Sequence, residues 1–507
     1  METRHEPVAR LKELDREARH LAHAAAVISW DQQTYMPKNA VEGRAQQQAL
    51  LEGLHHARIT DPEVGTLLAA CGSTEAEPSG PAARPEIDRA FLRAKEREYR
   101  LSTRLPGSFV REMAELTSRS QAVWAQARAD NDFALFRPHL KKIVEMTIRM
   151  ADYLGYEEHP YDALLDQYEP YMRSSEVKRV FDELQTGLVP LVAKIGAARQ
   201  VDDSFLHLDY PLDRQEAFSK QLMVALGYDI DRGRLDTSTH PFTTTLGSDD
   251  VRITTRYHRN LLQSSIFSTV HETGHALYEQ GFGEGLSGTL LAEGTSLGIH
   301  ESQSRMWENT IGRSEPFWTH WLPTLQEIFP EQLSGVSVEQ FYRAVNKVEP
   351  SFIRVEADEV TYGLHVILRY RMEVALISGE LKVADAPEAW RELSRELLGI
   401  VPETDRDGIL QDVHWSFGGI GYFPTYALGN LYAAQFFHTM ERQIPQLRDG
   451  IARGETGPIL EWLRENIYRH GSSLSASELV RRITGEPLSP QFFLAYLNRK
   501  YGEIYTL

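Results

Sequence analysis

A mainly α-helical fold, one large domain with a small β-sheet near its middle, is what this 507-residue sequence predicts. Three observations carry that prediction. Apolar residues recur at a 3.6-residue period through long stretches of both halves of the chain. An alternating, β-branched pattern is confined to residues 242–255. No internal repeat and no low-complexity linker divides the chain, so one domain over 1–507 is preferred to several.

The elements follow in order. From Val8 to Trp30, the residues Leu11, Leu14, Ala18, Leu21, Ala22, Ala25 and Ile28 keep helical spacing, and a second helix is predicted over Ala40 to Ala57. Residues 71–86, CGSTEAEPSGPAARPE, have the Gly, Pro and Ser content of a loop. Long helices are expected at 87–104, 108–129, 133–154, 174–199 and 213–226. The segments Phe242 to Thr245 and Val251 to Thr255 then read as strands. Strands there could hold an extended peptide backbone, although a purely structural hairpin explains them equally well.

Residues 264–281, SSIFSTVHETGHALYEQG, return to helical spacing through Ile266, Phe267, Val270, Leu277 and Tyr278. Gly274 inside this helix costs about 1 kcal/mol relative to Ala, which suggests that another element approaches closely there. A Gly-rich loop at 281–285 stops the helix, and helices resume at 289–311, 315–327, 337–347, 357–379 and 384–398. Residues 408–429, GILQDVHWSFGGIGYFPTYALG, lack periodicity and read as a substrate-facing loop region. From 430 onward the pattern is helical, with breaks near 470–475 and 487–489.

A formal charge of −18 argues against a nucleic-acid or anionic-membrane partner, since both favour a basic face. Cys71 is the sole cysteine, which excludes an intramolecular disulfide framework. No apolar run approaches the roughly 18 residues a membrane span needs, and the start lacks a secretory apolar region. A cytoplasmic location is expected.

The chemistry concentrates in His271-Glu272-Thr273-Gly274-His275, an HExxH pattern. Residues four apart share a helix face, so the two imidazoles can reach one ion, with Glu272 beside them as a base. Neutral imidazole suits Zn²⁺, and a catalytic zinc needs a third protein ligand. The downstream candidates are Glu279, Glu284, Glu293, Glu301 and Glu308. Glu301 is best placed by pattern, sharing a helix face with Leu290 and Leu297, though spacing alone does not exclude Glu293.

These residues belong to a longer set: His240-Pro241-Phe242, Asp250-Val251-Arg252-Ile253-Thr254, the HExxH, His300-Glu301-Ser302-Gln303, Ile353-Arg354 leading to Ala357-Asp358, and Gly408 to Trp415 as GxxQDxHW. Together they resemble the M32 metallocarboxypeptidases of the carboxypeptidase Taq type, with motifs spread over 240–415 and a similar chain length. The resemblance implies a helical fold with a deep groove, a homodimer, and broad-specificity removal of C-terminal residues from peptides. It also implies His271, His275 and Glu301 as zinc ligands, with cobalt as the other ion the family uses, and Glu272 as general base.

A carboxypeptidase must recognise a free α-carboxylate, for which arginine is the usual solution. Arg354 is the family-motif candidate and Arg252 the reserve. The plainer expectation for Arg354 is an ion pair with Glu356, Asp358 or Glu359. His240, His414 and Tyr422 are eligible donors to an oxyanion. By the resemblance, Gln411 and Asp412 shape the far end of the groove. The alternative reading is a zinc oligopeptidase that cuts internal bonds, since HExxH with a later Glu serves many such enzymes.

Overall fold

The computed structural model describes residues 6–507, so the start of the chain read for a secretory segment lies partly outside the described residues. Helices dominate. The first half comprises α1 (Glu6–Thr34), α2 (Val41–Ile59), α3 (Pro62–Ala70), α4 (Glu86–Arg104), α5 (Gly107–Asp130), α6 (Phe133–Leu154), α7 (Pro160–Leu165), α8 (Ser174–Ala197) and α9 (Leu212–Ala225). Three strands follow, β1 (Leu235–Thr237), β2 (Thr243–Gly247) and β3 (Asp250–Thr255), and then α10 (Leu262–Glu279) and α11 (Leu297–Arg305). The remainder is α12 (Glu315–Ile328), α13 (Pro330–Leu333), α14 (Val338–Val345), α15 (Tyr362–Ser378), α16 (Ala386–Leu398), α17 (Pro424–Gln443), α18 (Leu447–Ala452), α19 (Gly457–Asn466), α20 (Ala476–Thr484) and α21 (Gln491–Tyr505). The mainly helical class and the small sheet are as the sequence predicts.

The sheet has the order β1-β3-β2. β3 pairs with β1 in parallel and with β2 antiparallel, Thr243 facing Ile253 and Thr244 facing Arg252. β2 is therefore an edge. Side chains alternate along a strand, and Thr243 and Thr245 turn to α10 while Thr244 and Arg252 occupy the other face.

A single large apolar core joins α5 and α6 to the rest of the chain, with Val270, Ala276, Leu277, Ile299, Leu364 and Leu428 among its fully buried members. A second, smaller core lies under the N-terminal helices, where Leu11, Val64, Phe91 and Leu92 meet Leu286 and Leu291. Charge ties the elements of this second core together: Asp15 pairs with buried Lys95 at 3.0 Å, Lys95 with Glu98 at 2.6 Å, and Arg19 with both Glu98 and Glu293.

Several predicted bounds shift. The helix expected over 289–311 begins only at Leu297, because Ser296 caps it by accepting from Ile299 N at 3.0 Å. It then widens into a π-helical turn, Met306–Gly312. The helix expected from residue 357 begins at Tyr362, after the Asp358 carboxylate receives the Val360 and Thr361 amides at 2.9 Å each. α17 begins at Pro424, within the stretch read as loop, while 408–423 keeps its irregular character. Among the described residues, no helix is long and apolar enough to cross a membrane.

Candidate active site

α10 is buried on nearly every side, and only along the line of His271 and His275 does it open partly to solvent. α11 crosses it so closely that a Cβ on Gly274 would stand 2.7 Å from the Ser304 Cα, which is the close approach the sequence implied. α17 presses on α11 from the other side, where a Cβ on Gly429 would meet the Glu301 Cγ at 2.5 Å. Two glycines thus seat Glu301 over the histidines.

His271 Nε2 lies 3.8 Å and His275 Nε2 lies 3.5 Å from the Glu301 Oε2. Among the described residues these three form the one group of donors close enough to hold a metal ion. An ion bound tetrahedrally at 2.0–2.2 Å sets its donors roughly 3.4 Å apart, so the donor set and its spacing fit zinc. The other Glu301 oxygen, Oε1, receives Arg305 Nε at 2.7 Å. Arg305, followed by the histidines, holds the Glu301 carboxyl well below the usual range against the opposing effect of burial. Burial lowers His275 to about 3, leaving a neutral imidazole as metal ligation requires.

The other acids considered as third ligands are engaged elsewhere or exposed. Glu308 faces His271 Nδ1 at 2.9 Å and also receives Arg305 and Arg313, so it braces the His271 ring from the side away from Glu301. Glu279 pairs with His300, Glu293 pairs with Arg19, and Glu284 is exposed. Glu308 follows Glu301 by seven residues and Arg305 by three, a spacing that keeps all three on one side of the helix.

Glu272 is buried on the same helix, and Thr243 Oγ1 from the edge strand lies 2.7 Å from its Oε2 and 3.0 Å from its carbonyl. Burial raises the Glu272 carboxyl, opposed by His271 and the Thr243 hydrogen bond.

A second polar cluster adjoins this one. Arg354 is 4% exposed; its Nε and Nη2 reach the Asp412 Oδ1 at 3.0 and 2.8 Å, and its Nη1 donates to Tyr362 at 3.1 Å. Among the described residues the sequence-neighbour acids do not pair with it: Asp358 accepts from the Val360 and Thr361 amides, Glu359 pairs with Lys500 at 2.7 Å, and Glu356 is exposed. Asp412 also takes Arg369 Nε at 2.8 Å, so two buried guanidiniums share one carboxylate. Such a cluster carries a net positive charge that a further carboxylate would neutralise. Gln411 fixes its edge, accepting from the Arg354 amide at 2.9 Å. Arg305 joins the clusters, lying on Glu301 and stacking 4.6 Å from the Tyr362 ring centroid.

His414 and Tyr422 line the region between, their ring centroids 5.4 Å apart. Burial lowers His414 to about 4, partly offset by Asp412, and its Nδ1 is buried without a hydrogen-bond partner. Tyr422 lies in range of Glu301, whose charge adds to burial in raising the phenol. Two of the sequence candidates are placed elsewhere. Arg252 forms a two-point pair with Asp250 at 2.8 and 2.7 Å and covers Trp30 at 4.3 Å, on the sheet face turned from α10. His240 is exposed on the turn before β2, and its ring makes no hydrogen bond or ring contact among the described residues.

Residues that sequence reasoning did not single out are Thr243, Arg305, Tyr362, Tyr426 and Arg369. Tyr426 stacks 4.9 Å from the Arg354 guanidinium and lies 3.3 Å from His414 Nε2. Thr243 lies inside a predicted strand and Tyr426 inside the stretch read as loop, while Arg305, Tyr362 and Arg369 sit on predicted helices whose periodicity accounts for them as packing residues.

The sequence profile of the carboxypeptidase Taq (M32) metallopeptidases matches residues 10–501. The chain is 44% identical to thermostable carboxypeptidase 1 of Thermus thermophilus over 508 residues, covering 98% of each. It is 41% identical to carboxypeptidase 1 of Bacillus subtilis over 489 residues, covering 96% of each. The M32 carboxypeptidase structure from Deinococcus radiodurans R1 superposes with a TM-score of 0.96 at 40% identity, covering 99% of this chain and 100% of that one. With a divalent-metal donor set at the centre of the matched region, the chain belongs to the M32 family of metallocarboxypeptidases and is a peptide hydrolase.

Proposed function

We propose that this enzyme is a zinc-dependent carboxypeptidase that removes C-terminal residues from peptides with broad specificity. His271, His275 and Glu301 would hold the ion, with cobalt able to take the same N/O donor set. When bound, the ion supplies Lewis acidity toward water and the scissile carbonyl. Glu272 takes the proton of the attacking water on its free oxygen and passes it to the leaving amine, a role its buried, raised carboxyl suits. Thr243 holds that carboxylate in place. Arg354 receives the peptide's α-carboxylate, braced by Asp412, Tyr362 and Gln411, and His414 and Tyr422 donate toward the developing oxyanion. Neither Arg252 nor His240 is assigned a part.

The observation that carries this reading is the pairing of a three-donor metal cluster with a buried cluster of two arginines and one acid, joined through Arg305 and Tyr362. A metal site alone would serve an internal cleavage equally, whereas the second cluster selects a chain end. The reading as an internal-cleaving oligopeptidase is not favoured by the family match. We also infer one catalytic domain over 1–507, a cytoplasmic location and a homodimer, the last to be checked by light scattering against the 57.7 kDa chain mass.

Glu272→Gln tests the proposal. It should lower kcat by at least roughly a hundredfold, the usual contribution of a general base, while elemental analysis finds the ion retained. Unchanged turnover removes Glu272 from that role.

A further inference from the structure

We propose that His300 and Glu279 are positioning residues that set the tautomer of His275, so that its Nε2 presents a lone pair beside Glu301. The proposal rests on the reading of His275 as a metal ligand.

The geometry is a chain of four side chains ending on His275. Thr245 Oγ1 from the edge strand donates to Glu279 Oε2 at 2.8 Å, and the other Glu279 oxygen faces His300 Nε2 at 2.7 Å. His300 Nδ1 then lies 2.6 Å from the His275 Nδ1. For two neutral rings, one order of protons satisfies the chain. A carboxylate only accepts, so His300 carries its proton on Nε2 and offers a bare Nδ1. Two facing ring nitrogens need one proton between them, so His275 supplies it from Nδ1. Its Nε2 is left unprotonated, and this is the atom 3.5 Å from the Glu301 Oε2.

The surroundings hold His300 to this task. A Cβ on Gly294 would stand 2.8 Å from the His300 Cδ2, so the ring fits only against a glycine. The Tyr278 ring lies 5.3 Å from it, and the Tyr278 hydroxyl is held by the Thr295 amide at 3.1 Å. His271 receives the equivalent service directly from Glu308, whereas His275 has its acid one ring further away.

The test is metal affinity, measured on metal-free protein by competition with a chromophoric zinc chelator. His300→Ala should weaken zinc binding by about 10- to 100-fold, the usual effect of removing a ligand's outer partner. Glu279→Ala should weaken it in the same direction. His300→Asn, whose amide oxygen can replace the Nδ1 acceptor, should restore affinity to within about threefold of the parent, a rescue that a purely space-filling role would not give. All three metal-free variants should melt close to metal-free parent. His275→Ala separates the two levels: if it binds zinc like the parent, the ligand reading itself falls. If it loses zinc while His300→Ala binds as the parent does, the positioning role alone is overturned; so it is too if His300→Asn is as weak as His300→Ala.

Discussion

Glu301 and Glu293 show how much one carboxylate's surroundings decide. Both follow the HExxH at spacings a third ligand could use, and the sequence favoured Glu301 through the apolar stripe it shares and through the family resemblance of His300-Glu301-Ser302-Gln303. The structure separates them: Glu301 faces two imidazoles and is braced by Arg305, while Glu293 is drawn to Arg19 of the N-terminal helices. Glu301→Ala should therefore lose the ion and Glu293→Ala should keep it, as elemental analysis of both variants would report. Retention by both would detach Glu301 from the site. At this scale the motif residues were legible because metal chemistry restricts residue type. Arg354 as a binder of chain ends was reached through resemblance, and its partner could not be read, since Asp412 lies far along the chain and nearer acids compete on paper. Buried acids such as Glu373, which holds Trp415 and the Gly421 amide at 2.8 and 3.0 Å, gave no signal at all.

Elements were legible in proportion to their length. The long helices announced themselves through repeated turns of apolar residues, whereas α3, α7 and β1 are too short for a period to establish itself. The π turn after α11 is invisible to periodicity because helical residues occupy it throughout. Packing between elements left one trace, Gly274. The corresponding glycine of α17 supports a prediction. In a free helix Gly→Ala stabilises by about 1 kcal/mol, as expected for Gly502→Ala in α21, where nothing lies within 4 Å. At Gly429 the added methyl would overlap Glu301, and overpacking of about 1–3 kcal/mol outweighs the helix gain. Gly429→Ala should therefore lower both melting temperature and zinc affinity; a rise in either would mean that α17 does not seat Glu301.

The large apolar core draws on helices from the whole chain, and α10 and α11, which carry the candidate metal donors, supply only part of it. Loss of the ion should cost only its binding contribution, about 3–4 kcal/mol for free metal at 100 to 1,000 times the dissociation constant. Chelation is expected to lower the melting temperature by several degrees while the helical circular dichroism at 25 °C persists. Collapse of that signal would show that the ion organises the fold. The helical class and the sheet's place before α10 were readable from the sequence; the small second core beneath α1, α3 and α4 was not, because amphipathic spacing shows that a helix has a partner without showing which one. The arrangement that matters for activity is global in the same sense, since α10, α11, α15 and the 408–423 segment meet only in the folded chain. Its most direct test is a mass-spectrometric time course on matched peptides with free-acid and amidated C-termini, with and without chelator. The expected result is stepwise loss of residues from the free-acid ends alone, abolished by chelator and restored by zinc. Equal attack on amidated peptides, internal cuts, or indifference to chelator would contradict the account.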